Sequence, residues 1–278
     1  MIPVLFKAGP LTIYSYGTML AIAFLVASVI LAGELKRKKL DLSRMPMIFL
    51  LAAALGIVGA TALTIVEHWY VFPHRHTQST RVGQGMTWHG GLLLGTAAMY
   101  LYARATSMPW GQFLDAAAPA LILGEAIGRL GCHFAGDGDY GFPTDLPWGT
   151  NYENGTLPPS RALAIFPQVT ARYAGGVVPD NTPCHPTPVY EFILLTGGFV
   201  LLWQLRKRDY APGKLFAIYL MLSGTSRFAV EFLRLNPRVV IGLSQAQLIS
   251  IALVGVGLIG IVCMYLRDAK VVGTETRT

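Results

Sequence analysis

The chain has 278 residues, of which 53% are hydrophobic and 13% charged, with a mean hydropathy of +0.48. Soluble proteins carry roughly 25% charged residues, so this composition cannot clothe a globular surface and excludes an ordinary soluble domain. The formal charge of +7 is explained below by where the lysines and arginines fall, and it implies no nucleic-acid partner.

Apolar stretches close to the bilayer-spanning length of about 20 residues recur at residues 14–34, 46–66, 89–105, 112–130, 188–205, 213–234 and 243–266. They predict an all-α polytopic membrane protein of seven transmembrane helices, because lipid-exposed backbone must hydrogen-bond within its own helix. The first stretch is not a secretory signal. It is too long, has only Lys7 before it, and runs into Glu34-Leu35-Lys36-Arg37-Lys38-Lys39 with no small-residue cleavage site. Short-loop basic residues set the orientation. Lys36 to Lys39 and Arg44 follow the first span, Arg104 the third, Arg206, Lys207, Arg208 and Lys214 the fifth, and Arg267 and Lys270 the seventh. Those ends read as cytoplasmic, with the amino terminus outside and the carboxyl terminus inside.

The whole chain, 1–278, reads as a single membrane domain into which residues 132–187 insert an outer cap between helices four and five. That segment holds 8 of the 17 prolines, interleaved with Tyr140, Trp148, Tyr152, Phe166 and Tyr173, a composition that favours a small folded cap over a disordered linker. The tail from Val271 to Thr278 is expected to be disordered. Cys263 falls inside the last span as a small apolar filler. Cys132 and Cys184 both fall on the outer side, where a disulfide is chemically permitted, but compartment alone does not establish one.

Three constellations carry chemistry. On helix four, Glu125 and Arg129 are four apart, the spacing of a helical ion pair, with Arg129 at the outer end of its span. On helix six, Arg227, Glu231 and Arg234 follow a four-then-three spacing, which at about 100° per residue confines them to an arc of about 60°, with Ser223 one turn earlier. Each charge at the bilayer centre costs about 2.5 to 3.5 kcal/mol on insertion scales, so three on one face point to a polar cavity, and two arginines around one glutamate leave donors for a lipid phosphate. The alternative is a buried salt-bridge network that only locks helices. On helix three, Trp88-His89-Gly90-Gly91 sets a histidine at the interface beside two glycines that admit another backbone or a head group.

Metal readings are weak, and no metal or cofactor is implied. Asp137-x-Asp139-x-Gly141 with Asp145 starts like an EF-hand loop, but its sixth position is Phe142 and its twelfth Trp148. His68, His74 and His76 with Cys184-His185 lack the spacing of structural zinc.

Taken in order, the motifs resemble those of the prolipoprotein diacylglyceryl transferases of the bacterial inner membrane. WHGG at 88–91 is similar to that family's histidine-glycine-glycine motif, GRLG at 128–131 to the start of its signature, HPTPVYE at 185–191 to its His-Pro-Ser-Gln-x-Tyr-Glu stretch, and RFAVEFLR at 227–234 to its Arg-Phe-x-x-Glu-x-x-Arg stretch. GLSQAQLIS at 242–250 matches its lead-in to the last helix. The resemblance runs from Tyr16 to about Leu266. It implies transfer of the diacylglyceryl group of phosphatidylglycerol onto the lipobox cysteine of a prolipoprotein signal peptide, forming a thioether and releasing glycerol phosphate. By motif match, Arg129 would hold the head group, Arg227 and Arg234 would stabilise the departing phosphate with Glu231 orienting them, and His89 would be the base candidate or a lipid-positioning donor. Tyr16, Gly90, Gly91, Gly141, Tyr190 and Glu191 would line the substrate site.

The chain also departs from the family pattern. Cys132 stands where many members have asparagine, Ser223 where one branch has tyrosine, Pro188 where it has glutamine, and Cys184 where an arginine often precedes His-Pro. Asp137 or Asp139 would replace a glutamate. These departures motivate the alternative of a non-catalytic lipid-binding or assembly paralogue of the same fold.

Overall fold

The computed structural model describes residues 1–9, 11–66, 88–236 and 238–275. The chain opens with an antiparallel hairpin, β1 (Val4–Ala8) against β2 (Leu11–Tyr14), which leads directly into α1 (Ser15–Arg37). A 3-10 turn at Leu42–Arg44 precedes α2 (Met45–Val66), followed by α3 (Trp88–Ala105) and α4 (Trp110–Ala135). Then come β3 (Thr150–Asn151), the one-turn helices α5 (Pro159–Ala162) and α6 (Pro167–Thr170), and β4 (Pro183–Cys184). The chain ends with α7 (Thr187–Leu205), α8 (Lys214–Val230), the hairpin β5 (Arg238–Val240) and β6 (Leu243–Ser244), and α9 (Gln245–Glu275).

Among the described residues, five helical segments are long and apolar enough to cross a membrane: Ser15–Arg37, Leu42–Leu63, Thr187–Leu205, Lys214–Leu233 and Gln245–Arg267. The protein is therefore a helical, polytopic membrane protein. Large apolar side chains stay exposed on these helices, Val29 at 73% and Ile259 at 64% for example. In water such surface would be unusual, whereas lipid solvates it. Cys263 lies in α9, inside the last span as expected, and is exposed among these apolar side chains. Helix α9 also continues through Val271 to Glu275, so most of the tail expected to be disordered is helical.

The described residues divide into two compact units, Met1–Leu31 with Leu114–Thr278, and Ala32–Phe113. In the second, α2 and α3 pack through glycine. A Cβ on Gly59 would strike the Gly90 carbonyl oxygen and lie 2.7 Å from Leu94 Cβ, and one on Gly91 would lie 2.8 Å from the Gly56 oxygen. The expected close approach at Gly90-Gly91 is thus made by the backbone of α2. Gly59→Ala should cost about 1 to 3 kcal/mol by overpacking, read as a lower melting temperature of the detergent-solubilised protein.

In the first unit, α8 packs against α7 and α9, and Asp115 of α4 accepts the backbone N–H groups of Gly213 at 2.9 Å and Phe216 at 3.0 Å. A carboxylate there satisfies otherwise orphaned donors at the start of α8. Residues 140–184 fold around an apolar cluster that Leu235 and Met1 complete, in which Tyr140 and Tyr152 stack at 4.2 Å and Leu163, Phe166, Val178 and Cys184 are buried. β3 pairs with β4, Thr150 opposite Cys184. Cys132 and Cys184 are both free and buried.

Candidate anion site

The GRLGCHFA stretch is helical to its end. Arg129, Gly131 and Cys132 occupy the last turns of α4, which runs to Ala135, beyond the expected boundary near residue 130. Glycine is tolerated at 131 because it lets α1 approach. A Cβ there would lie 3.1 Å from Met19 Cβ and 3.3 Å from Tyr16 Cδ2. That approach brings Tyr16 into the electrostatic neighbourhood of Arg129, Asp137 and Asp139.

Arg129 does not pair with Glu125. Glu125 accepts the Ser223 hydroxyl of α8 at 2.9 Å, while Arg129 turns outward to Asp139 Oδ2 at 3.0 Å and Glu191 Oε2 at 3.4 Å. Two carboxylates beyond the helix end compete better for the guanidinium than the one a turn behind it.

The helix-six triad converges by a route the periodicity does not describe. Helix α8 stops at Val230, a 3-10 turn covers Glu231–Leu233, and Arg234 is extended, bridged to Gly141. Arg227 Nη2 lies 3.1 Å and Arg234 Nε 3.8 Å from Glu231 Oε2. Both also reach Glu191 Oε2, at 3.4 Å each, and Arg234 Nη2 meets Asp139 Oδ1. Three guanidinium groups from two helices and a turn therefore surround Glu191, whose side chain is fully buried, with Asp139 and Glu231 at either side.

Glu231 is itself fixed. Its Oε1 accepts from Asn236 Nδ2 at 2.7 Å and from Ser244 Oγ at 2.6 Å. Ser244 is the N-cap of α9. Its oxygen accepts the Gln247 N–H at 3.2 Å while Gln247 Oε1 accepts the Ser244 N–H at 3.1 Å, a reciprocal capping box. Arg238 Nη1 donates to the same Gln247 oxygen at 2.6 Å. Asn236 carries no signal in the sequence, whereas Ser244 and Gln247 lie in the GLSQAQLIS stretch, whose Ser-x-x-Gln spacing before an apolar run is a capping signal.

The two aspartates of the loop differ. Burial raises the Asp139 carboxyl, but the Arg234, Arg129 and Arg227 guanidinium groups outweigh it and hold the group below the usual carboxylate range. Burial, then repulsion from Asp139, pushes Asp137 upward. Asp137 Oδ1 accepts the Asp139 N–H at 3.3 Å. Ligand atoms of Cys132, Asp137 and Asp139 all lie within 4.8 Å of one another. Both Asp139 oxygens are already on arginines, however, so the arrangement does not suit a cation.

Tyr190 is engaged elsewhere, its hydroxyl accepting from Trp148 Nε1 at 2.8 Å and lying 3.3 Å from His185 Nδ1. His89 opens α3 in the second unit, and its side chain lies outside what is described. His68, His74 and His76 also lie outside the described residues.

These features define a polytopic membrane protein with a cluster of three arginines and three carboxylates beside the end of a helix. The chain belongs to the prolipoprotein diacylglyceryl transferase family, whose model matches residues 3–263, and it is a transferase by that membership. Relatives named phosphatidylglycerol–prolipoprotein diacylglyceryl transferase include that of Clostridium tetani (strain Massachusetts / E88), 30% identical over 263 residues, covering 93% of this chain and 96% of the relative. That of Geobacillus kaustophilus (strain HTA426) is 31% identical over 265 residues, covering 94% and 91%. The protein of Parasynechococcus marenigrum (strain WH8102) is 30% identical over 274 residues, covering 93% and 92%.

Proposed function

We propose that the protein transfers the diacylglyceryl group of phosphatidylglycerol to the lipobox cysteine of prolipoproteins, at the outer face of a bacterial inner membrane. The observation that carries this reading is the convergence of Arg129, Arg227 and Arg234, in a chain of this family, on one cluster of carboxylates. In the reaction the cysteine sulfur forms a bond to the glycerol carbon, and the carbon–oxygen bond to phosphate breaks. The electron pair leaves on glycerol phosphate, and the thiol proton passes to a base.

Arg129 holds the head-group phosphate, while Arg227 and Arg234 stabilise the charge that grows on the departing phosphate. Glu231, locked by Asn236 and Ser244, keeps those guanidinium groups aimed. Tyr16, Gly141, Tyr190 and Glu191 shape the pocket, with Cys132, Asp137 and Asp139 in the places of the asparagine and glutamate of relatives. His89 is the candidate base, with Gly90 and Gly91 beside it. In this reading α3 and α4 complete seven spans, the amino terminus and the 132–187 cap lie outside, and the carboxyl terminus is cytoplasmic, in keeping with the basic loops.

Arg129→Ala and Arg227→Ala should each reduce transfer of lipid mass onto a lipobox peptide, with phosphatidylglycerol vesicles as donor, by about 10²- to 10³-fold, the usual cost of removing one donor at developing charge. Full activity in both variants would sink the assignment.

A further inference from the structure

Asp139 bridges two of the three arginines of the cluster. Its Oδ2 accepts from Arg129 Nη1 at 3.0 Å and its Oδ1 meets Arg234 Nη2. One anionic group thus spends one oxygen on each of two guanidinium groups from different elements, as a bridging phosphate would. The other two carboxylates of the cluster are not free to leave. Glu191 and Glu231 have fully buried side chains. Glu191 shares a single oxygen among three arginines, and Glu231 is pinned by Asn236 and Ser244.

Asp139 is 31% exposed and sits on a loop, beside an Arg129 that is 21% exposed. Its main-chain carbonyl is tied separately by the Thr187 hydroxyl at 2.6 Å. The side chain can therefore swing about χ1 while the backbone stays in place. Arg129 would keep Glu191, and Arg234 would keep Glu191 and Glu231, so the arginines remain held when the aspartate leaves.

The geometry points to Asp139 as a built-in competing anion, an affinity-setting residue that a phosphate ester displaces from Arg129 and Arg234 on binding. The inference rests on the reading that these arginines receive the substrate phosphate. Its consequence is a threshold. A ligand must replace both charge-assisted contacts of Asp139, so groups that make only one, such as a carboxylate bound end-on or a lipid lacking an exposed phosphate, do not open the site.

The test uses the full chain in detergent micelles, as wild type, Asp139→Asn and Thr187→Val, titrated calorimetrically with inorganic phosphate and with a short-chain phosphatidylglycerol. Removing the competing charge should tighten phosphate binding about tenfold, the scale of one charge-assisted hydrogen bond. Thr187→Val, which loosens the loop but keeps the carboxylate, should tighten it to a smaller extent, and decides the matter if Asp139→Asn does not fold. Unchanged or weaker phosphate binding in the folded variants would overturn the proposal and make Asp139 a support for the arginines. Tightening for the lipid as well as for phosphate identifies a head-group site, and tightening for phosphate alone identifies a free-anion site. Tighter phosphate binding by a protein that transfers no lipid would keep the inference and sink the transferase reading.

Discussion

Glu191→Ala should abolish transfer and lower the melting temperature more than any other single substitution among the arginines and carboxylates of the site. Its Oε2 lies 3.4 Å from Arg129 Nε, Arg227 Nη1 and Arg234 Nη1, and its side chain is fully buried. A shared counter-ion at the centre of three cations cannot be replaced from solvent. Removing one partner of a buried ion pair typically costs about 3 to 5 kcal/mol, because the other charge is left uncompensated. Here three are left facing one another, with Asp139 and Glu231 only at the margins. Glu191→Gln separates charge from volume, since it keeps the packing and removes the attraction. Thermal unfolding in detergent and the lipobox-peptide assay, run on both variants, measure the effect. A glutamine variant that melts and transfers like wild type would show that the carboxylate does not hold the cluster.

The loss should exceed that for Arg129→Ala, where Asp139 and Glu191 each retain Arg234. Deleting Glu191 leaves Arg129 with Asp139 alone and Arg227 with Glu231 alone, whereas deleting Arg129 leaves Glu191 with both other arginines.

Much of the scaffold was legible because apolar runs near bilayer length can hardly be anything else. α1, α2, α7, α8 and α9 lie on the runs that announce them. The Glu125–Arg129 pair was read from spacing and is not made, because spacing along one helix ignores acceptors that the rest of the chain brings in. Asp139 from a loop and Glu191 from α7 outcompete it. The arc through Arg227, Glu231 and Arg234 gave the right partners by an incomplete geometry, since Arg234 arrives on extended backbone.

Glu191 was legible only through the family-like HPTPVYE motif. A glutamate near a helix start carries no signal that three arginines will meet it. Thr187 and Asn236 were not legible at all, because their roles exist only in tertiary contact. Of the departures from the family pattern, Ser223 donates its hydroxyl to Glu125 at 2.9 Å, and Cys132 is buried with its sulfur within 4.8 Å of the Asp137 and Asp139 carboxylates.

Gly141→Ala should lower transfer at least about hundredfold, although the residue carries no functional group. The chain at Gly141 is stitched on both sides. Its N–H donates to the His185 carbonyl at 2.9 Å, the Phe142 N–H donates to the Leu233 carbonyl at 3.0 Å, and Gly141 bridges Arg234. A Cβ would collide with the Leu233 carbonyl oxygen and lie 2.9 Å from both His185 Cβ and Thr187 Cγ2. One obstacle is backbone and another a Cβ, so rotamer changes cannot relieve the clash. The extended segment at Arg234 must move away from the loop that carries Asp139, two residues upstream of Gly141. Overpacking of this kind costs about 1 to 3 kcal/mol, and a displacement of about 1 Å at a reacting centre costs about 10²-fold in rate. Gly197→Ala, in α7 where nothing lies within 4 Å of the added methyl, should leave transfer near the wild-type rate. Equal activity in the two variants would mean that the Gly141–Arg234 bridge does not set the position of the arginine.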